Sequence, residues 1–299
     1  MWRSLVLLTL MACAEPTAPA SVSVANDERL ATLPLDSTLV ASIDLPALAA
    51  GSGVVSLLRE AGMDPAPLLA LAEVGAGVEG FRVRDARLGC GGSGCVALLE
   101  GGFTPAGVER ATDAVADAVA DAEAERASVA NGDWVLRRLS AQKAVFGDRE
   151  AVREVWEAVR SGAPGLDVAA LEGRVPDGGL WVLVRDVERF EAQAAARAGA
   201  VRPDGAARVH AGLARARTQL PSLDRVETLA ASVSATGLLH ARAVCADEAA
   251  AMDLELRLGA AGLEAKGLEG VAVSRSGATV EVTGHPRSAA IATLFGVAE

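Results

Sequence analysis

Two stretches of this chain, 142 residues apart, share the same order of turn, apolar strand, aspartate and helix start. The first stretch is Pro34–Leu48 and the second is Pro176–Phe190. In each, the apolar segment ends at an aspartate, Asp44 or Asp186, and aspartate commonly caps a helix that begins just after it. Identities are few, but the shared order predicts an internal duplication.

The elements predicted after each stretch follow the same order. In the first half they are a helix over 46–73, strands over 80–88 and 95–100, a helix from 104, strands over 134–139 and 142–146, and a helix over 148–160. In the second half they are a helix over 187–217, strands over 226–234 and 237–244, a helix over 247–258, strands over 271–275 and 278–283, and a helix over 286–295. Short turns between successive strands are typical of antiparallel hairpins.

These patterns predict an α+β fold built from two similar β-α-β-β-α-β-β-α repeats. The first repeat covers residues 30–165 and the second covers residues 170–299. Each repeat is expected to form an antiparallel sheet covered by helices, because the helical segments carry apolar residues on one face only. The sequence is compatible with two separate sheets and with one merged sheet.

The first thirteen residues have the organisation of a signal peptide. Arg3 precedes an apolar run from Leu5 to Met11, and the run ends at Ala12 and Cys13. A run of about 7 residues is far shorter than the roughly 20 residues with which a helix spans a bilayer. We therefore expect residues 1–12 to be a leader that is removed, not a permanent membrane span.

The stretch Leu10-Met11-Ala12-Cys13 resembles the bacterial lipobox. The resemblance implies a lipoprotein in which Cys13 becomes the first residue and carries a thioether-linked diacylglycerol and an amide-linked acyl chain such as palmitate. Several acyl chains anchor a protein stably, because each buried methylene contributes about 0.8 kcal/mol. Ala14 stands where lipoproteins kept on the inner membrane carry aspartate, so the resemblance favours the outer membrane. The alternative is an ordinary secretory signal in which Cys13 is incidental.

Residues 13–29 connect this anchor to the body. After Cys13 the segment is small, polar and proline-containing, with no period that could bury one face, so it is predicted to be a flexible tether. A disordered segment of this length has a root-mean-square span of about 22 Å. The layout of lipobox, tether and a duplicated module that begins TLVASIDLPAL resembles exported bacterial proteins of unknown function. That resemblance implies no particular activity.

Acidic residues outnumber basic ones, with 39 Asp and Glu against 28 Lys and Arg and a net charge of −11. A surface of this sign repels phosphate backbones and anionic headgroups. The sequence also has no basic stripe interleaved with aromatic residues. These features exclude nucleic acid as the expected partner and predict that membrane contact occurs through the N-terminal lipid.

The segment Gly89–Gly94 fits the string G-x-G-x-x-G, which cradles a pyrophosphate only between a strand and a helix. The apolar segment that follows is too short for that helix and is predicted to be the return strand of a hairpin, so no nucleotide is expected. Such a hairpin places Cys90 and Cys95 near disulfide distance, and an oxidising envelope permits the bond. The sequence is compatible with a Cys90–Cys95 disulfide and with two free thiols. Cys245 is predicted to be a buried apolar residue.

No catalytic or metal-binding constellation is evident in the sequence. The three histidines, His210, His240 and His285, are scattered and lack a spaced carboxylate partner. Four carboxylates recur every four residues along one helix: Glu109, Asp113, Asp117 and Asp121. Successive members lie about 6 Å apart along the axis and do not converge on a point, so they indicate a solvated face. We predict no catalytic residue, no metal and no cofactor.

Three functions are compatible with these features. The leading hypothesis is a non-catalytic envelope lipoprotein that acts as a scaffold, assembly factor or accessory of a larger complex, with another envelope protein as its partner. The second is a carrier of lipid or another apolar ligand, bound between the two lobes. The third is an envelope hydrolase, which requires a Ser/His/Asp or metal cluster that only the folded chain could assemble.

Overall fold

The computed structural model describes residues 30–43, 66–125, 134–168, 171, 180–201, 203–233, 238–260, 263 and 268–286. The strands in this part are β1 (Leu39–Ile43), β2 (Phe81–Gly91), β3 (Gly94–Phe103), β4 (Trp134–Arg138), β5 (Lys143–Asp148), β6 (Leu180–Val184), β7 (Val226–Val233), β8 (Leu239–Cys245), β9 (Leu268–Ser276) and β10 (Thr279–Pro286). The α-helices are α1 (Ala66–Gly77), α2 (Pro105–Glu125), α3 (Arg149–Ser161), α4 (Val187–Val201), α5 (Gly205–Gln219) and α6 (Glu248–Ala260). Short 3₁₀ turns occupy Leu30–Thr32 and Pro221–Arg225.

The ten described strands form one antiparallel sheet, in the order β4-β5-β3-β2-β1-β6-β7-β8-β10-β9. Strands β1 and β6 meet at its centre, where Leu39 lies opposite Val184 and Ser42 lies opposite Trp181. The strands of the first half therefore lie on one side of this junction and those of the second half on the other. The fold is α+β, and one continuous sheet passes through both halves.

Helices pack on both faces of this sheet. The face that carries Ala41 and Ala243 is here called the major face, and residues of α1, α2, α4 and α6 join its hydrophobic cluster. The minor face carries Val40 and Leu183, and α3 packs on it through Val152. Side chains alternate between the two faces along each strand, so neighbouring residues of one strand belong to different clusters.

Helix starts follow the capping residues of the sequence. Thr104 precedes α2, and its hydroxyl accepts the backbone N–H of Gly107 at 3.0 Å. Asp186 precedes α4, and its carboxylate accepts the backbone N–H of Arg189 at 2.9 Å. These bonds satisfy N–H groups that have no partner in the first turn of a helix. The cap predicted at Asp44 lies outside the described residues.

One predicted helix is two helices in the structure. The segment 187–217 was expected to be continuous, but α4 ends at Val201 and α5 begins at Gly205. Pro203 has no N–H to donate within a helix and disfavours helical geometry in the residue before it. At Gly205 any β-carbon would overlap the carbonyl oxygen of Ala198, so only glycine permits the tight turn. The prediction of one long helix was therefore wrong.

Candidate functional site

An apolar cavity of about 90 Å³ lies between the major face of the sheet and α6. Its floor includes three alanines of β7 and β8, Ala231, Ala241 and Ala243. Its roof includes Leu254 and Leu258 of α6. Among the described residues, those that line the cavity all belong to the second half of the chain, which places the cavity within that half.

The cavity exists because small side chains meet across neighbouring strands. One row across β7, β8 and β10 consists of Ala231, Ala241 and Val282. The corresponding row in the first half of the chain crosses β2, β3 and β5 on the same face and consists of Leu88, Ala97 and Phe146. An alanine with large neighbours on both sides leaves no void in a close-packed core, whereas an alanine beside another alanine does. The second half therefore retains space that Leu88 and Phe146 fill in the first.

The chemistry of this cavity is apolar. Arg242 also borders it, but Arg242 alternates with Ala241 and Ala243 along β8, so its side chain lies on the minor face. There its guanidinium donates to Glu281. A cavity lined by aliphatic side chains tends to stay dry and to take up apolar molecules. Such a site binds by removing apolar surface from water, and its described lining on the major face offers no group for acid or base catalysis.

Helix α6 also presents apolar side chains to solvent. Met252 and Leu256 are 51% and 66% exposed, and they lie four residues apart on its outer side. An ion pair between Arg257 and Asp253, 2.8 Å from Nε to Oδ1, lies beside them. Exposed apolar residues that lie next to charged groups are a common feature of binding surfaces. Helix α6 is therefore apolar both towards the cavity and away from it.

A polar cluster lies on the minor face of the same strands. His240 has Ser232 opposite it on β7 and Thr283 opposite it on β10. The Nε2 atom of His240 lies 3.6 Å from Oε2 of Glu281, and Nε of Arg242 donates to Oε1 of Glu281 at 2.8 Å. Sequence spacing alone gave no sign of this cluster, because three separate strands contribute to it.

The electrostatics of the cluster centre on Glu281. Burial acts to raise the pKa of the Glu281 carboxyl, but hydrogen bonding and charge from Arg242, with a contribution from His240, outweigh burial and lower that pKa. A histidine with a hydroxyl on one side and a carboxylate on the other contains the groups of a nucleophilic triad. However, Ser232 is only 1% exposed, and a nucleophile must reach its substrate. This arrangement favours a structural role for the cluster.

Cys90 and Cys95 face each other across the β2–β3 hairpin. Their sulfur atoms are 2.18 Å apart, which is a disulfide distance. Two carboxylates hold the hairpin tip, because Asp36 accepts the N–H of Gly92 at 2.8 Å and Asp148 accepts the N–H of Cys95 at 2.6 Å. The glycine string of the sequence is thus the tip of a hairpin, and the predicted return strand is β3.

We expect the Cys90–Cys95 bond to stabilise the body. A cross-link that closes a loop of this size lowers the entropy of the unfolded chain enough to contribute about 2 kcal/mol. Urea unfolding of the protein should therefore shift to lower urea when a reductant is added. The double variant Cys90→Ala with Cys95→Ala should already be destabilised and should not respond to reductant. An unchanged wild-type midpoint in reductant would indicate two free thiols.

The other cysteine and histidine candidates are dispersed. Cys13 lies outside the described residues. Cys245 is buried at the end of β8, and burial raises the pKa of its thiol. His210 is exposed on α5 and His285 is exposed on β10. Cys245, His210 and His285 are not among the described residues that line the cavity.

The carboxylates that recur every four residues on α2 lie on a solvated surface at the two positions whose side chains the structure describes. Glu109 and Asp113 are exposed, and the side chains of Asp117 and Asp121 lie outside the described set. Within the described ranges, no group of three His, Cys, Asp or Glu side chains is placed to hold a metal ion. No α-helix in that part of the chain has the length and apolarity required to cross a membrane.

Comparisons of the chain with known protein families, with curated proteins and with solved structures find no match. Function therefore has to be inferred from the cavity, the exposed side of α6 and the N-terminal sequence.

Proposed function

We propose that this chain is a lipid-anchored protein of the bacterial cell envelope whose body binds an apolar ligand and catalyses no reaction. The observation that carries the proposal is the aliphatic cavity beneath α6, with its alanine floor and its roof of Leu254 and Leu258. Burial of apolar surface contributes about 25 cal/mol per Å², so such a site gains affinity from every methylene that it covers. The sequence hypothesis of an apolar carrier is thus favoured over a purely structural role, with the ligand held within the second half.

The size of the cavity limits the ligand. An engineered apolar cavity of about 150 Å³ takes up benzene, so a cavity of about 90 Å³ accommodates only a few methylene groups. We infer a ligand with an alkyl chain whose end enters the cavity while the rest of the molecule stays outside. Fatty acids and acylated lipids belong to this class.

The proposed anchor brings such ligands within reach. In the proposal, residues 1–12 are removed, Cys13 carries diacylglycerol and an acyl chain, and residues 14–29 tether the body to the outer membrane. A span of about 22 Å would keep the body close to the bilayer, where acylated molecules are concentrated. The membrane is then both the site of attachment and the source of ligand.

We also propose that residues 30–165 and 170–299 are two repeats of one module. The sheet order supports this, because the strands run β1-β2-β3-β5-β4 outward on one side and β6-β7-β8-β10-β9 on the other. The offset of 142 does not hold residue by residue, since it relates Leu39 to Trp181, which belong to clusters on different faces. Residues that pair across β1 and β6 lie on the same face of the sheet, and their residue numbers differ by an odd number, as for Val40 and Leu183. A two-fold relation between the repeats that matches residues on the same face therefore requires an odd offset in residue number.

An interaction or scaffold role is the second candidate function. The exposed pair Met252 and Leu256 on α6 favours it, because apolar side chains on the outer side of a helix suit a protein partner. The partner would be another envelope protein, and stable co-purification of such a protein would support this candidate. The hydrolase hypothesis gains no support from the polar cluster, because Ser232 is buried.

Binding of a fluorescent fatty acid, cis-parinaric acid, tests the carrier proposal. The full chain carrying Cys13→Ala provides protein that needs no detergent. We expect saturable binding to this protein and at least a tenfold loss of affinity when Ala241→Leu is added, because leucine fills the cavity floor. The matched control Ala249→Leu adds the same side chain on the exposed side of α6 and should leave affinity unchanged. Equal binding by all three proteins, or no saturable binding, would refute the proposal.

A further inference from the structure

Helix α6 exposes two large apolar side chains on one side. Met252 and Leu256 lie about one turn apart and are 51% and 66% exposed. Among the described residues, the other exposed large apolar side chains are Leu35 and Val159, and each lies on a different element. Apolar side chains exposed singly are normal on a protein surface, whereas neighbouring ones indicate a binding surface.

The opposite side of α6 covers the apolar cavity. Leu254 and Leu258 line the cavity, and each lies two residues from an exposed member of the outer pair. Residues two apart in a helix point in nearly opposite directions, because one turn takes about 3.6 residues. The cavity therefore lies about one helix diameter, roughly 10 Å, from any surface that contacts the outer side of α6.

The charges around the outer side of α6 are largely balanced, although the whole chain has a net charge of −11. Of the four carboxylates in α6 and its N-cap, three form an ion pair with an arginine: Asp247 with Arg225, Asp253 with Arg257, and Glu255 with Arg275. The fourth, Glu248, lies at the first residue of the helix. A bilayer of zwitterionic lipid has no net charge, so this face meets such a surface without the repulsion that the acidic body would otherwise cause.

We propose that α6 docks on the zwitterionic bilayer that holds the lipid anchor, with Met252 and Leu256 inserted among the headgroups. The inference rests on the proposed function, because it assumes both the anchor and the apolar ligand site. A tether with a span of about 22 Å keeps the local concentration of α6 at the membrane high, so that a weak contact is populated. The alkyl chain of a ligand then reaches the cavity from the bilayer without crossing bulk water.

A protein partner, the second candidate function, would use the same two side chains. Each partner in a stable protein complex buries roughly 800 Å² of its surface, and two side chains cover far less. Contact with a bilayer needs no such area once the chain is tethered to it. The small size of the apolar pair therefore favours the lipid surface.

A fluorophore on α6 tests the docking. The lipidated full chain carrying Cys245→Ala and Leu256→Cys is labelled with the dye NBD and reconstituted into phosphatidylcholine vesicles. We expect lipids with doxyl groups on their acyl chains to quench the dye by about threefold, because an interfacial helix lies roughly 5–10 Å into the boundary between headgroups and acyl chains. Val159→Cys is the matched control, since Val159 is exposed on α3, which packs on the minor face. Equal quenching at both positions, or none at position 256, would overturn the proposal.

The rate of ligand transfer tests the consequence of docking. Vesicles that contain cis-parinaric acid and a quencher donate the fatty acid to the lipidated protein, so that fluorescence rises as transfer proceeds. We expect Leu256→Glu to slow transfer by about fivefold or more, because a charged side chain is costly to insert into a bilayer. Val159→Glu adds the same charge on α3 and should leave the rate unchanged. Equal rates for the parent and both variants, or equal slowing by both variants, would refute the docking.

Binding of free cis-parinaric acid in solution separates this inference from the proposed function. The chain carrying Cys13→Ala and Leu256→Glu should bind the free fatty acid as tightly as Cys13→Ala alone, since Leu256 is not among the described residues that line the cavity. If neither protein binds, the ligand site itself is wrong. If both bind but Leu256→Glu leaves the transfer rate unchanged, only the docking is wrong. Stable capture of an envelope protein through Met252 and Leu256, with the dye unquenched, would assign the face to a protein partner instead.

Discussion

Replacement of Cys13 by alanine should transfer nearly all of the protein from the membrane fraction to the soluble fraction. In the proposal this thiol carries several acyl chains, and each buried methylene contributes about 0.8 kcal/mol to membrane binding. One acyl chain gives only reversible attachment, whereas several act as a permanent anchor. Without the thiol no lipid can be attached, so the body loses its hold on the bilayer. Cell fractionation and immunoblotting measure the redistribution.

Two controls make this result specific to the anchor. Cys245→Ala changes a buried thiol in the body and should leave the protein in the membrane fraction. Mass spectrometry of the native N-terminus should find an acylated Cys13 as the first residue. A native chain that still begins at Met1, or that carries an unmodified thiol at Cys13, would contradict the anchor and leave only the properties of the body.

Replacement of alanine by leucine should have opposite effects on the free energy of unfolding at two positions of the major face, Ala241 and Ala97. Ala241→Leu should raise the free energy of unfolding by about 1–2 kcal/mol, because an empty cavity destabilises a protein by about 24 cal/mol per Å³. For a cavity of about 90 Å³ that amounts to about 2 kcal/mol. Ala97→Leu should instead lower the free energy of unfolding by about 1–3 kcal/mol. Ala97 is 1% exposed and lies between Leu88 and Phe146, so a larger side chain has no space there.

Urea denaturation of the two variants and the wild type, in the same reducing state, measures both effects. The slope of unfolding free energy against urea should stay constant, because the variants expose nearly the same surface on unfolding as the wild type. If both variants were destabilised to a similar extent, the space beneath α6 would not be available to a side chain. The proposed ligand site would then lose its physical basis.

The cavity and the anchor are separable claims. Binding of an alkyl chain depends on the major face of β7, β8 and β10, whereas membrane attachment depends on Cys13. Loss of the lipid would leave ligand binding intact, and a filled cavity would leave the attachment intact. Each proposal can therefore fail without the other.

Local features of this fold were predictable because they depend on residues close in sequence. The hairpin at Gly92-Ser93 and the caps at Thr104 and Asp186 follow from turn and capping chemistry, which acts over two or three residues. Strand and helix positions also follow from apolar periodicity. The helix break at Pro203 was not predicted, because the alanine-rich residues on both sides have high helix propensity and the proline is a single local interruption.

Longer-range features depend on which strands become neighbours. The sequence could not show that β1 and β6 would join two halves into one sheet, because their pairing is set by contacts across more than a hundred residues. The same holds for the groups around His240, which come from β7, β8 and β10.

By itself the sequence determined the α+β class, the antiparallel hairpins of the described residues and the facing cysteines, since each arises from spacing along the chain. Only the tertiary structure decided where the apolar cavity lies. Ala231, Ala241 and Val282 are each ordinary strand residues, and they leave space only because strand pairing places them side by side. Packing density depends on the volumes of side chains that are neighbours in the folded protein. These neighbours are distant in sequence, so the density cannot be read from any one segment of the chain.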